Sequence, residues 1–175
     1  IEEDLARRDF TINAMAWNPK TGLTDPFGGQ EDLKKGIIRA VGNPAERFDE
    51  DALRMMRAYR FAGRLGFQIE EGTRQAIDEK AGLLKTVSAE RVRDEIQHIV
   101  KDSPEILDQM TVLLKDWLPE LKAMLDCEQN NKHHYTDVLH HTLDALKASK
   151  SKALEVLWAL LLHDTGKPSM TPTDE

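Results

Sequence analysis

Two runs of this chain hold charge inside otherwise apolar stretches. Arg7 to Trp17 reads RRDFTINAMAW, and Arg47 to Phe67 reads RFDEDALRMMRAYRFAGRLGF. Charge in a core-like stretch needs a partner, because an unpaired buried ion is costly. As a helix at 3.6 residues per turn, the second run sets Glu50, Arg54 and Arg57 on one stripe, with Asp51 three residues before Arg54. Leu53, Met55, Met56, Tyr59, Phe61, Ala62 and Leu65 cover most of the remaining circumference, so such a helix is largely buried. Asp51 and Arg54 then offer an acceptor beside a donor fork. That pair complements a base edge carrying an exocyclic amine next to a ring acceptor, as cytosine and adenine do. Guanine and uracil present the reverse order and would be rejected. The competing reading is an internal ion-pair network that braces the helix.

In the first run, Arg7 and Arg8 suit phosphate, Asp9 a ribose hydroxyl and Asn13 either sugar or triphosphate. The ordinary alternative for each is local bonding at a helix end or turn. Farther on, LLLHDTGKP ends an apolar run in His163 and Asp164, with His141 on the preceding helix. Two imidazoles and a carboxylate are three ligands for a divalent metal. The alternative is histidine bonding to the last carbonyls of a helix. His98 reads as a helix-face residue, and His133, His134 and His140 as linker or surface residues.

The elements that must position these groups begin with a short helix over IEEDLARRDF. NAMAW and GLTDP read as strands around an Asn18 to Gly22 reversal, then GGQEDLKK as a helix and IIRAVG as a third strand. Asn43 and Pro44 are a helix start, as cap and first position. Helices are expected at about 49–66, 71–80, 88–101 capped by Ser88, 103–115 and 117–125. TDVLHHTLDALKA and ALEVLWALLLHDTGKP give two more, the last so apolar that it reads as core. Gly28 and Gly29 read as turn residues beside Asp25, which could assist the site. Arg60 should fix its helix to neighbours, and Glu90, Arg91 and Glu95 should form structural pairs.

With 40% apolar residues, 175 residues suffice for one domain or two small ones. No apolar run approaches the ~20 residues needed to cross a bilayer, and no basic-then-apolar leader opens the chain. The lone Cys127 excludes an internal disulfide and suits a reducing cytoplasm. A net charge of -7 argues against general affinity for phosphate backbones, yet five arginines lie between Arg47 and Arg64. A local basic groove is compatible with that balance.

The two runs together resemble the class II tRNA nucleotidyltransferases, the CCA-adding enzymes and their bacterial poly(A) polymerase relatives. RRDFTINAMA is similar to the family segment that holds ribose and triphosphate, and DPFGGQEDL (Asp25 to Leu33) to the next. EDALR (Glu50 to Arg54) is similar to the amino-acid template that selects CTP and ATP. SAERVRDE (Ser88 to Glu95) is similar to the helix-capping segment that follows. The four stand in the family's order over residues 4–95. The resemblance implies nucleotide-binding roles for Arg8, Asp9, Asn13, Glu50, Asp51, Arg54 and Arg57, with Mg²⁺ held by a DxD pair behind a GGxVRD loop. That pair belongs upstream of RRDFTINA, so the chain is expected to lack it, to be truncated at both ends and to be inactive alone. HHTL followed by LLLHDTGKP resembles the opening of an HD phosphohydrolase domain, implying a divalent metal on His141, His163 and Asp164. Its closing aspartate lies on a later helix, and Asp174 is too near to replace it.

The expected fold is mainly α within an α+β scheme. Residues 1–44 are the end of a small nucleotidyltransferase head, 45–126 a helical neck and body, and 127–175 a linker with the start of an HD domain. The expected function is addition of CMP and AMP to the tRNA 3′ end. The alternatives are a metal-dependent HD phosphohydrolase, a poly(A) polymerase or A-adding enzyme, and a piece that only binds RNA or nucleotide.

Overall fold

Asn43 and Pro44 open the helical part of the chain as their side chains dictate. In the computed structural model, which describes residues 1–127 and 137–170, the Asn43 Oδ1 accepts from the Ala45 N–H at 3.0 Å, and Pro44 takes the first helical position. Before them lie α1 (Glu2–Ala6), a 3-10 turn (Thr11–Asn13), the hairpin β1 (Ala16–Asn18) and β2 (Gly22–Thr24), α2 (Gly29–Lys35) and β3 (Ile37–Ile38). The hairpin is antiparallel, with Trp17 opposite Leu23. Gly22 closes the reversal at φ 79°, where a side chain would be strained. Asn13 sits in the 3-10 turn rather than in a strand, and only two residues of IIRAVG pair as a strand. They pair in parallel with β4 (Gln68–Ile69), while Ala40 bridges Phe10.

The expected helix over 49–66 is two helices. α3 (Pro44–Glu50) ends where Asp51 turns extended at φ -153°, and α4 (Leu53–Leu65) begins after Ala52. The Asp51 Oδ1 accepts from the Leu53 N–H at 3.1 Å, a local bond that competes with continuing the helix. Asp51 therefore stands at a break, not on a helical stripe. α4 buries Met55, Met56, Ala58, Tyr59 and Ala62 and stops at Gly66, φ 67°. Each large apolar side chain so buried contributes roughly 1.5–3 kcal/mol, well above the ~1 kcal/mol that Gly63 costs mid-helix. Gly63 is there for closeness, since a Cβ would lie 2.5 Å from the Ser103 Oγ.

α5 (Glu71–Lys80) is capped by Glu70, which accepts from the Thr73 N–H at 2.7 Å. A 3-10 stretch (Ala81–Thr86) leads to α6 (Ala89–Asp102). Ser88 occupies the cap position of α6, but its hydroxyl makes no cap bond. The expected helix over 103–115 is a 3-10 helix (Pro104–Met110) followed by turns, and the next is short, α7 (Glu120–Leu125). α8 (Val138–Ala148) is capped by Asp137, and α9 (Leu154–Leu162) follows.

One core runs from Phe10 and Ile38 through α4, α5 and α6 to Leu157 and Leu161. α9 is not wholly core. Leu157 and Leu161 are buried, but Leu154, Val156 and Leu162 are exposed. Among the described residues no helix is long and apolar enough to cross a membrane. His133, His134 and Asp174 lie outside the described residues.

Candidate functional site

The loop after α1, the break before α4, and the first turn of α6 meet around a cavity of about 540 Å³. Its walls are Arg8, Asp9, Asn13, Asp51, Leu53, Arg54, Arg57, Phe61 and Arg91. Four guanidiniums face two carboxylates there, a local excess of positive charge on a chain of net charge -7. Such a concave, cationic site suits a polyanion.

Asp9 is buried and fully engaged. Its Oδ1 accepts from the Phe10 N–H at 2.9 Å and the Asn13 Nδ2 at 3.1 Å, and its Oδ2 meets the Arg57 Nε at 2.8 Å and Nη2 at 2.7 Å. Arg57 therefore braces Asp9 rather than Glu50. Its guanidinium also lies 5.3 Å from the Phe61 ring centre, with Arg60 4.9 Å from the same ring. Arg8 is half exposed and meets only Asp4, at 3.3 Å, among the described residues.

Arg54 is 17% exposed. Its Nη1 donates to Glu50 Oε2 at 2.7 Å and to the Arg47 carbonyl at 3.2 Å, and its Nη2 to the Arg7 carbonyl at 2.9 Å. Glu50 also binds the Arg47 Nη2 at 2.7 Å, and it borders a second cavity instead of the first. Its place is behind Arg54, as a brace. Asp51 has Leu53 N–H on one oxygen and, on the other, the Arg91 Nη2 at 2.9 Å.

Both members of the expected base-reading pair thus have protein partners, yet both face an open cavity. Arg60 takes the expected structural part, pairing with Glu95 at 2.8 Å between α4 and α6. Asp25 caps α2, its oxygens accepting from the N–H groups of Gly29 at 2.7 Å and Gln30 at 2.9 Å. Burial pushes its carboxyl up, but the N–H groups of Gln30, Gly29 and Gly28 together hold it below the ordinary value. Gly28 turns the chain at φ 73°, and Gly29 packs on the Thr11 carbonyl.

At the far end of the chain, donor atoms of His141, His163 and Asp164 lie within 4.8 Å of one another. Two imidazoles and a carboxylate so gathered fit a divalent ion. The His163 Nδ1 is 2.7 Å from the Leu160 carbonyl, the helix-end bond that was the competing reading. That bond leaves Nε2 on the side of Asp164, 3.2 Å away. Lys167 holds the buried Asp164 at 2.7 Å. His140 is not a bare surface group, since its ring meets Asp137 at 2.7 Å and Asp108 at 3.8 Å.

Residues 1–39 match the family model described as "Poly A polymerase head domain". Residues 66–125 match "Probable RNA and SrmB- binding site of polymerase A". A CCA-adding enzyme of Lactiplantibacillus plantarum is 42% identical over 161 residues, 92% of this chain and 37% of its own length. The Multifunctional CCA protein of Pseudomonas fluorescens is 41% identical over 187 residues, covering 100% of this chain and 45% of its own length. The fold agrees as well. The crystal structure of Bacillus stearothermophilus CCA-adding enzyme in complex with CTP superposes with a TM-score of 0.65 at 34% identity, over 98% of this chain and 43% of the other.

The chain belongs to the class II tRNA nucleotidyltransferase family. It spans less than half the length of these relatives. It brings six of the seven expected nucleotide-site residues to one cavity and leaves Glu50 behind it. Three wall residues were not expected there. Leu53 and Phe61 read only as apolar cover, although Phe61 follows Arg57 by one turn. Arg91 read as a member of a structural pair, and no local signal showed that its partner is Asp51, 40 residues away in sequence.

Proposed function

We propose that this chain carries the nucleotide-selecting part of an enzyme that adds CMP and AMP to the tRNA 3′ end, with CTP and ATP as substrates. One observation carries the reading: Asp51 and Arg54, an acceptor and a donor, both stand on the wall of a cationic cavity large enough for a nucleotide. In this reading the Asp51 carboxylate accepts from the exocyclic amine of cytosine or adenine, and the Arg54 guanidinium donates to the adjacent ring nitrogen. Glu50 holds Arg54 in place. Asn13, held by Asp9, takes the ribose, and Arg8 and Arg57 the triphosphate. Residues 1–44 act as part of a head and 45–126 as neck and body. CCA addition is preferred to A-addition or poly(A) synthesis because the relatives reported above carry CCA in their names.

Phosphoryl transfer needs metal ions to offset developing charge. Asp9 and Asp51 do not fit that task, since each is committed to a guanidinium and to backbone N–H groups. The reading assigns Mg²⁺ to the DxD carboxylates that the resemblance places upstream of Arg8. Titration calorimetry with the four nucleoside triphosphates tests the proposal. CTP and ATP should bind at least about tenfold tighter than GTP and UTP, the worth of one charge-assisted hydrogen bond. Equal affinity for all four would remove the base-reading role.

A second reading concerns the C-terminal end and rests on the convergence of His141, His163 and Asp164. These residues would hold a divalent ion, which would supply Lewis-acid and water-activating chemistry to a phosphohydrolase of the HD type, with residues 127–175 as its linker and opening helices. Release of phosphate, or opening of 2′,3′-cyclic phosphate ends, by the metal-loaded parent protein and its loss in His163→Ala would support that activity. Activity unchanged in the variant would end it.

A further inference from the structure

Arg91 projects from the first turn of α6 and is 52% exposed, yet its guanidinium is not spent on a neighbour of its own helix. Glu95 is taken by Arg60, and Glu90 lies 3.9 Å from Arg93. Arg91 instead crosses to Asp51, its Nη2 2.9 Å from the Oδ2. The Asp51 carboxylate is thereby anchored twice, by α4 through the Leu53 N–H on Oδ1 and by α6 through Arg91 on Oδ2.

Two anchors from two elements fix the plane of a carboxylate, whereas one leaves it able to swing. Space for that swing exists. A second cavity of about 320 Å³ lies on the other side of the pair, bordered by Leu83, Thr86 and Ser88, and Asp51 and Arg91 line both cavities. Together they form part of the wall between the two. Asp51 sits between α3 and α4 with extended backbone.

We propose that Arg91 is a positioning residue for base choice: it pins the Asp51 carboxylate against the nucleotide cavity, with a lone pair of Oδ2 left for the amine of cytosine or adenine. The inference rests on the nucleotide-site reading above and extends it to a residue outside the base-reading segment. A carboxylate oxygen has two acceptor sites, so Arg91 and the amine bind it together. A uracil or guanine carbonyl meets the same fixed negative charge and is repelled. Without Arg91 the carboxylate can turn toward the second cavity, and the repulsion that excludes UTP falls.

The positive charge of Arg91 also favours every triphosphate, but that contribution is the same for CTP and UTP. The ratio of their dissociation constants therefore isolates the positioning role. Wild-type protein, Arg91→Ala and Arg91→Lys are titrated with CTP and with UTP, and each is melted by circular dichroism. Arg91→Ala should cut the UTP-to-CTP ratio about tenfold, with melting little changed because the ion pair is half exposed. Arg91→Lys, which keeps one donor for Oδ2, should recover part of the ratio. A wild-type preference for CTP that survives intact in Arg91→Ala overturns this inference and leaves the nucleotide site standing. A wild type that binds CTP and UTP equally overturns the nucleotide-site reading itself.

Discussion

Replacing Asp51 by asparagine keeps the shape of the side chain and removes its charge. The Leu53 N–H points at Oδ1 from 3.1 Å and needs an acceptor, so the introduced amide must place its oxygen there. Its NH₂ then stands where Oδ2 was, facing the Arg91 Nη2 at 2.9 Å, donor against donor. The cavity wall would offer a base two donors, from position 51 and from Arg54, in place of an acceptor and a donor. Cytosine and adenine lose the acceptor for their amine and meet a second N–H instead. A hydrogen bond to a charged group contributes roughly 1.5–3 kcal/mol, so CTP and ATP affinity should fall about 10- to 100-fold. Uracil gains little, because its ring N–H still faces the Arg54 donors. The cost in stability is small: the lost pair with Arg91 is partly exposed, worth under about 1 kcal/mol after screening, or less than about 2–4 °C in melting temperature. Calorimetry with CTP, ATP and UTP, beside thermal melts, reads both quantities. CTP and ATP affinities within twofold of wild type, on a folded variant, would refute the assignment of Asp51 as the base acceptor.

The Arg60 and Glu95 pair is enclosed between α4 and α6, so Glu95→Ala strands a guanidinium and should cost about 3–5 kcal/mol, seen as a melting temperature lowered by about 10 °C; a shift under a few degrees would show the pair to be dispensable. Burial raises the Tyr59 phenol to about 12. A folded-state value above the unfolded ~10 means a contribution intact below pH 10 and lost as pH rises toward 12. Alkaline unfolding should therefore follow tyrosinate absorbance in that window, and an identical alkaline profile in Tyr59→Phe would contradict it. Cobalt(II) titrated into the protein should give a visible absorption band that His163→Ala abolishes, and an unchanged band in the variant would place the ion elsewhere.

What the residues decide by themselves is local. Asn43 with Pro44 and Gly22 in its reversal act through their own side chains or the lack of one, within a few bonds, so their types predict their places. The apolar cover of α4 is equally legible, because burial of Met55, Met56 and Tyr59 follows from helical period. The chemistry of Asp51 and Arg54 is legible as donor and acceptor type. Its setting is not, because the capping bond from the Leu53 N–H to Asp51 ends one helix and starts another where period alone continues it. The apolar content of α9 shows that it favours burial but does not say how much of its surface finds a neighbour, and Leu154, Val156 and Leu162 remain exposed. Tertiary packing decided the rest. Asp9 is answered by Arg57 across 48 residues and Asp51 by Arg91 across 40. Charges along a chain offer many such pairings, and only the packing of α4 against the loop after α1 and against α6 selects which guanidinium reaches which carboxylate.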